Sequence, residues 1–452
     1  MRVLLGNWAG TYTVPSRTLY PHQWGWDSAF NAIGLAHLAP RRAQLELESL
    51  LGAAWPDGRV PHIVFNPTVA TTAYFPGPDF WRSRSVSMAP LTATSGLVQP
   101  PMHARAAWEV FSADPRPERG RAFLRRVYPR LVAQHTYLRE HRQVPGSELA
   151  AIVHPWESGM DNSPAWDTAL AAISSGRPLP RLPIARRDLD HALDSERPTQ
   201  TDYARYVRLA EHYRDHGYRD EEHLPSAAFV MVDPLFNAVL AWSEEALADI
   251  ATELGVDGAG HRARAAQISA ALVAHHLDEP TGQFLAADAR TGELARERTI
   301  AGLVPLVMPG LSTTVVDGLV RAATGPAFRS GALAPIASAD LTGTAYEPAR
   351  YWRGPAWINT GWLVWRGLLR HARWEVAEEL REAMLTTVRS AGFREYFDAG
   401  TGAGRGAENF SWTAALVLDL LARRPAIDLT TTRLPLPTED RPTLGQDAAF
   451  LG

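Results

Sequence analysis

The feature that most constrains the fold is a helical spacing of apolar residues that recurs along most of the chain. One typical segment carries Ile358, Trp362, Trp365 and Leu369 on a single face. There are about twelve such segments, arranged in pairs with glycine- and proline-rich loops between them, whereas strand-like alternation is scarce. Helices in hairpin pairs fit a solenoid or a closed toroid. Because no fixed repeat period is visible, we expect the toroid: an all-α (α/α)6 barrel with long loops gathered at one end.

Residues 1–452 are expected to form a single barrel domain. Two stretches stand apart from the helical pattern. Residues 165–200 contain a run rich in proline, arginine and aspartate, which predicts an excursion from the main body or a lid. Residues 424–452 are rich in proline and threonine, which predicts a tail on the surface.

Composition excludes several classes of protein. The formal net charge of −4 provides no basic footprint, so we expect no nucleic-acid partner. The absence of cysteine excludes disulfides, thiolate metal sites and a cysteine nucleophile. No apolar run is long enough for a membrane span, and the start of the chain lacks a signal-peptide core. These features indicate a cytoplasmic protein without a membrane partner, and they leave homo-oligomerisation open.

The stretch His154–Asp167 is the first candidate site. It places Glu157 and Asp161 close to Trp156 on backbone that two prolines keep from forming a continuous helix. Indole faces pack against the C–H-rich faces of sugar rings, and apolar neighbours raise the pKa of a carboxyl group. The alternative is a buried tryptophan cluster in which Asp161 only caps a helix.

Other stretches place aromatic residues at helix starts and in loops. Trp24 and Trp26 flank the start of a helix, where Asp27 is either an N-cap or a ligand contact. Tyr74 lies in a long aromatic loop, and long loops in compact domains are usually functional. Gln99 stands directly before two prolines that open another helix.

Glu395 is a second candidate carboxylate. It precedes a glycine-rich run, GTGAGRG, which we expect to be a loop that presents the glutamate at a pocket. As a phosphate-binding loop the run is a poor match, because no strand is predicted before it and no lysine ends it. The alternative for Glu395 is a solvated loop acid. Inverting glycoside hydrolysis uses one protonated carboxyl group and one carboxylate, roughly 6.5–9.5 Å apart. Asp161 and Glu395 are the candidates.

Four blocks of sequence resemble glycoside hydrolase family 63, which shares a clan with the trehalases. Within that family, the single-domain bacterial mannosylglycerate and glucosylglycerate hydrolases are the most similar. The blocks occur in order and span nearly the whole chain: WGWDS from Trp24, ESGMDNSP from Glu157, YWRGPAWINTGW from Tyr351, and EYFDAGTGAGRGA with FSWTAAL from Glu395.

The resemblance implies an (α/α)6 barrel and an inverting α-glycosidase that needs no cofactor or metal. By motif position the general acid falls on Asp161, the general base on Glu395, and a sugar-hydroxyl ligand on Asp27. Arg197 and Tyr203 resemble the pair that holds the carboxylate of a glycerate aglycone, a role that suits a two-pronged guanidinium donor. Other positions match sugar-pocket or neighbouring site residues: Trp24, Trp26, Tyr74, Gln99, Trp156, Glu157, Tyr351, Trp352 and Trp357.

Two positions depart from the family pattern. Ala165 stands where an arginine is expected, and Glu408-Asn409 stands where a glutamine is expected before the FSW motif. A carboxylate at Glu408 would repel an acidic aglycone if it faced the pocket. The expected substrate is therefore a small α-glucoside or α-mannoside, with glucosylglycerate or mannosylglycerate preferred and trehalose-like or α-gluco-oligosaccharide substrates as alternatives.

Two alternatives come from other functional classes. A sugar isomerase or epimerase on the same barrel would use a pair of pocket histidines, but His22 and His154 are the histidines near the motifs and neither has a partner in sequence. A non-catalytic carbohydrate-binding protein would keep the tryptophans without needing both acids.

Overall fold

The computed structural model describes residues 1–86, 89–173, 179, 187–190 and 193–423. Helices predominate. The α-helices are α1 (Arg2–Gly6), α2 (Gly25–Ala36), α3 (Pro40–Gly52), α4 (Pro78–Trp81), α5 (His103–Ala113), α6 (Pro117–His141), α7 (Asp167–Ile173), α8 (Gln200–Asp215), α9 (Asp220–His223), α10 (Pro234–Glu253), α11 (Ala259–His276), α12 (Thr313–Thr324), α13 (Ile358–Arg370), α14 (Trp374–Ala391) and α15 (Ser411–Ala422).

The strands of the described residues are short and pair antiparallel. They are β1 (Gln23–Trp24), β2 (Ile63–Val64), β3 (Ala151–Ile152), β4 (Met231–Val232), β5 (Leu277–Asp278), β6 (Gln283–Phe284), β7 (Ala287–Asp288), β8 (Arg394–Phe397) and β9 (Gly404–Glu408). The pairs are β1 with β2, β5 with β6 and β8 with β9, while β4 lies between β3 and β7.

The inner elements close into a ring. Helix α2 packs on α5, α5 on α10, and α10 on the 3-10 turn Val304–Val307. That turn packs on α13, α13 on α15, and α15 returns to α2. Helices α3, α6, α11 and α14 pack against α2, α5, α10 and α13 respectively. This closed double layer confirms the predicted (α/α)6 barrel.

The two layers differ in their apolar residues. Every residue of α2 is buried, as are most residues of α10, so these helices are covered on all sides. Helix α3 buries one face, which carries Leu47, Leu50 and Leu51, and leaves the other face to solvent. The inner helices therefore depend on the outer layer to cover their second face.

The structure corrects the expected role of the glycine-rich run near the C-terminus. Glu395 lies on strand β8, which pairs with β9, and the run supplies the connecting turn and most of β9. At Gly406 the backbone has φ +65°, and a Cβ atom there would collide with the Glu395 carboxylate. The glycine therefore lets the second strand pass directly over Glu395.

The predicted lid at 165–200 and the predicted tail at 424–452 lie partly or wholly outside the described residues. Closure of the lid over a ligand stays a prediction. None of the helices in the described ranges combines the length and apolarity that a membrane span requires.

Candidate active site

One cavity of about 940 Å³, including its open mouth, gathers most of the predicted site residues. Its walls come from the segments at the starts of α2, α5, α13 and α15, together with the 3-10 turns before α7 and the strand β8. The predicted residues that line it are Trp24, Trp26, Asp27, Tyr74, Gln99, Trp156, Asp161, Arg197, Tyr203, Tyr351, Trp352 and Glu395. The N-terminal ends of four inner helices therefore share this end of the barrel.

Glu395 is 1% exposed and is held by donors from four parts of the chain. Arg197 donates from Nη2 to Oε2 at 2.7 Å and from Nη1 to Oε1 at 3.2 Å. The hydroxyls of Tyr20 and Tyr351 donate to Oε1 at 2.9 and 3.2 Å. The backbone N–H of Ala407 donates to Oε2 at 3.0 Å. The carboxylate is thus fixed at the cavity wall as an ion pair.

The Asp161 carboxyl group is affected mainly by desolvation, whereas Glu395 is ion-paired. Desolvation by burial raises the pKa of its carboxyl group to about 7, and the negative charge of Glu395 adds to the increase while Arg197 opposes it. Tyr206 donates to the Asp161 backbone carbonyl at 3.0 Å, and the side chain of the next residue, Asn162, accepts from the Trp352 N–H at 3.0 Å. A carboxyl group that holds its proton near neutral pH therefore shares a cavity with an ion-paired carboxylate.

Asp27 is a third acid in the cavity wall, in the first turn of α2. Burial raises its pKa well above the ordinary value, and the charges of Glu395 and Glu46 contribute to the increase. Beside it, the Gln99 side-chain oxygen accepts the Trp26 N–H at 3.1 Å, which fixes the amide against the start of α2. These polar groups are positioned by backbone contacts at one helix terminus.

Aromatic rings form most of the remaining wall. Trp24 meets Tyr74 edge to face at 5.2 Å, and Trp352 is stacked on Trp357 with ring centroids 3.9 Å apart. Trp357 is not among the residues that line the cavity, and its ring supports the lining residue Trp352 by stacking. A direct contact of Trp357 with a sugar stays a prediction.

Glu157 is the other predicted residue that is absent from the cavity lining. Its side chain is fully buried, and Arg142 donates to its two oxygens at 2.8 and 2.9 Å. The N–H groups of Val98 and Val153 donate to the same carboxylate at 3.2 and 2.8 Å. Glu157 therefore anchors two loop backbones and has no cavity surface.

Arg197 and Tyr203 both line the cavity, and both side chains already have partners. The terminal nitrogens of Arg197 serve Glu395, and Tyr203 donates to the Phe75 carbonyl at 2.7 Å. Arg197 Nε is buried without an acceptor among the described residues. The guanidinium thus connects the predicted aglycone side of the cavity with Glu395.

Comparison with known proteins assigns the chain to a family. Residues 20–413 match the mannosylglycerate hydrolase MGH1-like glycoside hydrolase domain. The chain belongs to this family. The mannosylglycerate hydrolase of Rubrobacter radiotolerans is 38% identical, over 93% of this chain and 95% of its own length. The glucosylglycerate hydrolase of Mycolicibacterium hassiacum is 36% identical, over 93% and 96%.

Solved structures agree with the family assignment. The GH63 mannosylglycerate hydrolase from Thermus thermophilus, in complex with Tris and D-glycerate, has a TM-score of 0.85 at 38% identity and covers 93% of this chain and 98% of that one. The neutral trehalase Nth1 from Saccharomyces cerevisiae has a TM-score of 0.59 at 16% identity, over 91% of this chain and 73% of that one, which supports the fold alone. The protein is a glycoside hydrolase of family 63.

The two departures from the family pattern lie outside the cavity lining. Ala165 is buried in the 3-10 turn Pro164–Trp166 and is absent from the cavity lining. Glu408 is mostly exposed on β9, where it pairs with Arg394 at 2.9 Å, in a separate surface cleft near the N-terminus. Its carboxylate therefore does not repel an acidic group in the cavity.

Several lining residues were not singled out from the sequence. The clearest is Tyr20, which donates to Glu395 and opens the aromatic stretch before WGWDS. Trp412 belongs to the quoted FSW motif, so its position carried a signal. The remaining ones are Pro15, His62, Phe75, Gly159, Asp188, Pro198 and Phe410. Asp188 carried no signal, because it lies in the excursion at 165–200 among several other acids.

Proposed function

We propose that this protein is an inverting α-glycosidase that hydrolyses α-glucosyl or α-mannosyl glycerate, with Asp161 as general acid and Glu395 as general base. One observation carries the proposal. A carboxyl group with a pKa near 7 and an ion-paired carboxylate line the same aromatic cavity. The names of the relatives at 36–39% identity agree with the glycerate aglycone.

The reaction follows from the two protonation states. Asp161 donates its proton to the glycosidic oxygen as the bond from that oxygen to the anomeric carbon breaks. Water attacks the anomeric carbon from the opposite face and gives a proton to Glu395, so that the configuration inverts and a β-sugar leaves. Proton transfer back to Asp161 through solvent restores the starting state. The products are one hexose and one glycerate.

Glu395 needs room for the attacking water. Its two oxygens already accept five hydrogen bonds, which is more than the lone pairs of a carboxylate serve well. Water therefore binds where one hydroxyl donor, Tyr20 or Tyr351, turns away. Arg197 and the Ala407 N–H then keep the base in position.

The sugar and the aglycone occupy different walls. We assign the hexose to the wall formed by Trp24, Asp27 and Trp352, because flat indole faces and a buried acid suit a ring with several hydroxyls. The glycerate carboxylate is assigned to Arg197 and Tyr203, which line the same cavity as Asp161.

A second candidate is hydrolysis of a neutral α-glucoside. One observation favours it. Arg197 is the one arginine among the described lining residues, and both its terminal nitrogens already donate to Glu395 rather than to a substrate carboxylate. An isomerase has less support, because His22 and His154 are absent from the described lining, and burial lowers the pKa of the lining residue His62 well below its ordinary value.

A substrate panel separates these candidates. Hydrolysis of glucosylglycerate, mannosylglycerate, trehalose and kojibiose is measured in parallel with the wild type and with Arg197→Lys. The proposal expects a glycosylglycerate to have the highest kcat/KM, and the variant to raise its KM as well as lower kcat. Preference for a neutral disaccharide, with KM unaffected by the variant, would overturn the glycerate assignment while leaving Asp161 and Glu395 in their roles.

A further inference from the structure

Three histidines meet at the end of α8, away from the cavity. His212 and His216 are four residues apart, so they project from the same side of the helix end. His223 ends α9 and returns beside them. The ring centroids of His212 and His216 are 4.4 Å apart, and those of His212 and His223 are 5.0 Å apart. None of the three belongs to the described cavity lining.

The ring nitrogens converge in a way that suits one ion. His212 Nδ1 and His223 Nδ1 are 3.1 Å apart. Two nitrogens bound at about 2.0–2.1 Å to a tetrahedral zinc ion are separated by a little over 3 Å, so this spacing needs little adjustment. One ligand atom from each histidine can be chosen so that all three lie within 4.8 Å of one another.

His216 is oriented by a backbone carbonyl. Its Nδ1 lies 2.7 Å from the His212 carbonyl oxygen, and because a carbonyl only accepts, this nitrogen carries the proton. The tautomer leaves Nε2 with a lone pair. An N–H donated to a carbonyl is the usual support of a metal-bound histidine, since it fixes both the tautomer and the ring.

We propose that His212, His216 and His223 form a binding site for a divalent transition metal ion of the zinc class. Three imidazole nitrogens are borderline-soft ligands that suit Zn²⁺, Co²⁺, Ni²⁺ or Cu²⁺ and are poor ligands for Mg²⁺ or Ca²⁺. Water completes the coordination shell, because His212 and His216 are partly exposed. The site is separate from the hydrolytic centre and takes no part in bond cleavage.

The metal would stabilise the buried network of Asp220, Arg142 and Glu157. Asp220, in the same helix α9 as His223, accepts from Tyr213 at 2.7 Å and from Arg142 at 2.8 Å. Arg142 in turn holds Glu157. An ion that joins α8 to α9 therefore stabilises the segment from which this buried network is held, and binding to the folded state raises its stability.

The test uses tag-free, chelator-treated protein titrated with ZnCl₂ in competition with a chromophoric chelator. We expect one saturable zinc site, a higher Tm with zinc, and visible absorption bands of tetrahedral Co²⁺ when cobalt replaces zinc. His216→Gln should weaken zinc binding at least about tenfold. His275→Gln, at an exposed histidine on α11, is the matched control and should bind zinc as the wild type does.

His216→Gln is the deciding variant because His216 is partly exposed, whereas His223 is buried and packs on Tyr213. Absence of saturable zinc binding by the wild type would overturn the proposal. Equal zinc affinity of the wild type and His216→Gln would also overturn it, since the ion would then lie elsewhere.

Discussion

Two buried arginine–glutamate pairs, Arg142–Glu157 and Arg197–Glu395, differ in what surrounds them. Arg142 holds Glu157 with contacts of 2.8 and 2.9 Å, and Arg197 holds Glu395 with contacts of 2.7 and 3.2 Å. Burial and pairing are nearly equal. Glu157, however, is enclosed by backbone N–H groups, while Glu395 forms part of the cavity wall beside Asp161.

The difference shows why a buried ion pair is weak evidence for a functional site. Arg142 also binds Asp220, and the hydroxyls of Tyr137 and Tyr213 donate to that aspartate, so its network is complete without a ligand. Such a network supports structure. A carboxylate becomes a candidate base only where a substrate and a water molecule can reach it, and in this comparison that is Glu395.

The largest effect on activity is expected from substitution of Glu395 or Asp161. Glu395→Gln and Asp161→Asn should each lower kcat by about 10³-fold or more, since each removes a proton-transfer group. The Tm of Asp161→Asn should stay close to that of the wild type or rise, whereas the Tm of Glu395→Gln should fall, because the buried Arg197 loses its carboxylate partner. An α-glycosyl fluoride separates the two roles, because fluoride leaves without protonation. Asp161→Asn should regain much of its activity on the fluoride, and Glu395→Gln should not. Recovery by Glu395→Gln would exchange the assigned roles.

Substitution in the Arg142–Glu157 pair should lower the stability of the protein more than its activity. Glu157→Gln leaves Arg142 partly unpaired in the interior, and we expect a loss of about 3–5 kcal/mol in the free energy of unfolding. Denaturant unfolding measures this loss. At a temperature where the variant is folded, its kcat should remain within about tenfold of the wild-type value. A loss of kcat as large as that of Glu395→Gln, without a loss of stability, would place Glu157 in the reaction.

The pH dependence should report Asp161. Because the pKa of its carboxyl group is raised to about 7, the proton needed by the leaving group is lost above that pH. We expect kcat/KM for a glycosylglycerate to fall about tenfold per pH unit above about pH 7, and the same limb to be absent with the glycosyl fluoride. If kcat/KM fell in the same way above pH 7 with both substrates, the decrease would have to come from a group other than Asp161.

Asp161 should also make the stability of the protein depend on pH, which is a smaller effect. The pKa of Asp161 is about 7 in the folded protein and 3.8 by its ordinary value, so the folded state binds a proton that the unfolded state has released between these pH values. Wild-type stability therefore decreases from about pH 4 to about pH 7 through this group. Asp161→Asn should gain on the order of 1 kcal/mol or more relative to the wild type at pH 8 compared with pH 4. Parallel Tm profiles of the two proteins would contradict this account.

The smallest effect is expected outside both pairs. Glu408→Gln removes a charge that pairs with Arg394 in the surface cleft, and exposed pairs contribute about 0–1 kcal/mol. The kcat/KM for glycosylglycerates should therefore change less than about twofold. A large improvement with an acidic aglycone would mean that Glu408 reaches the substrate.

The predicted helix start near Asp27 coincides with the start of α2. The inner 3-10 turn Val304–Val307 was not predicted, since a four-residue apolar run has no helical periodicity. The strand at Glu395 was missed because the glycine-rich run that pairs with it is typical of a loop.

For the site, the sequence indicated which segments contribute but not which of their side chains line the cavity. The family resemblance assigned Asp161, Trp352 and Glu395 to one site, and all three line the cavity in the structure, where the starts of inner helices meet at one end of the barrel. The same motifs could not distinguish a lining residue from the residue behind it. Trp357 and Glu157 therefore looked equivalent to their neighbours until packing separated them. Tyr20 acts on Glu395 from a distant part of the chain, a contact that no local pattern encodes.

Asp161 and Glu395 are proposed to act on opposite faces of an anomeric carbon and to invert its configuration. Proton NMR of the purified protein with glucosylglycerate and mannosylglycerate, following the anomeric signals from the first minutes, shows which anomer is released. We expect the β-anomer of the free hexose to appear first and the α-anomer to grow only through mutarotation. Early release of the α-anomer would contradict it, since Glu395 would then have to act as a nucleophile in a double displacement.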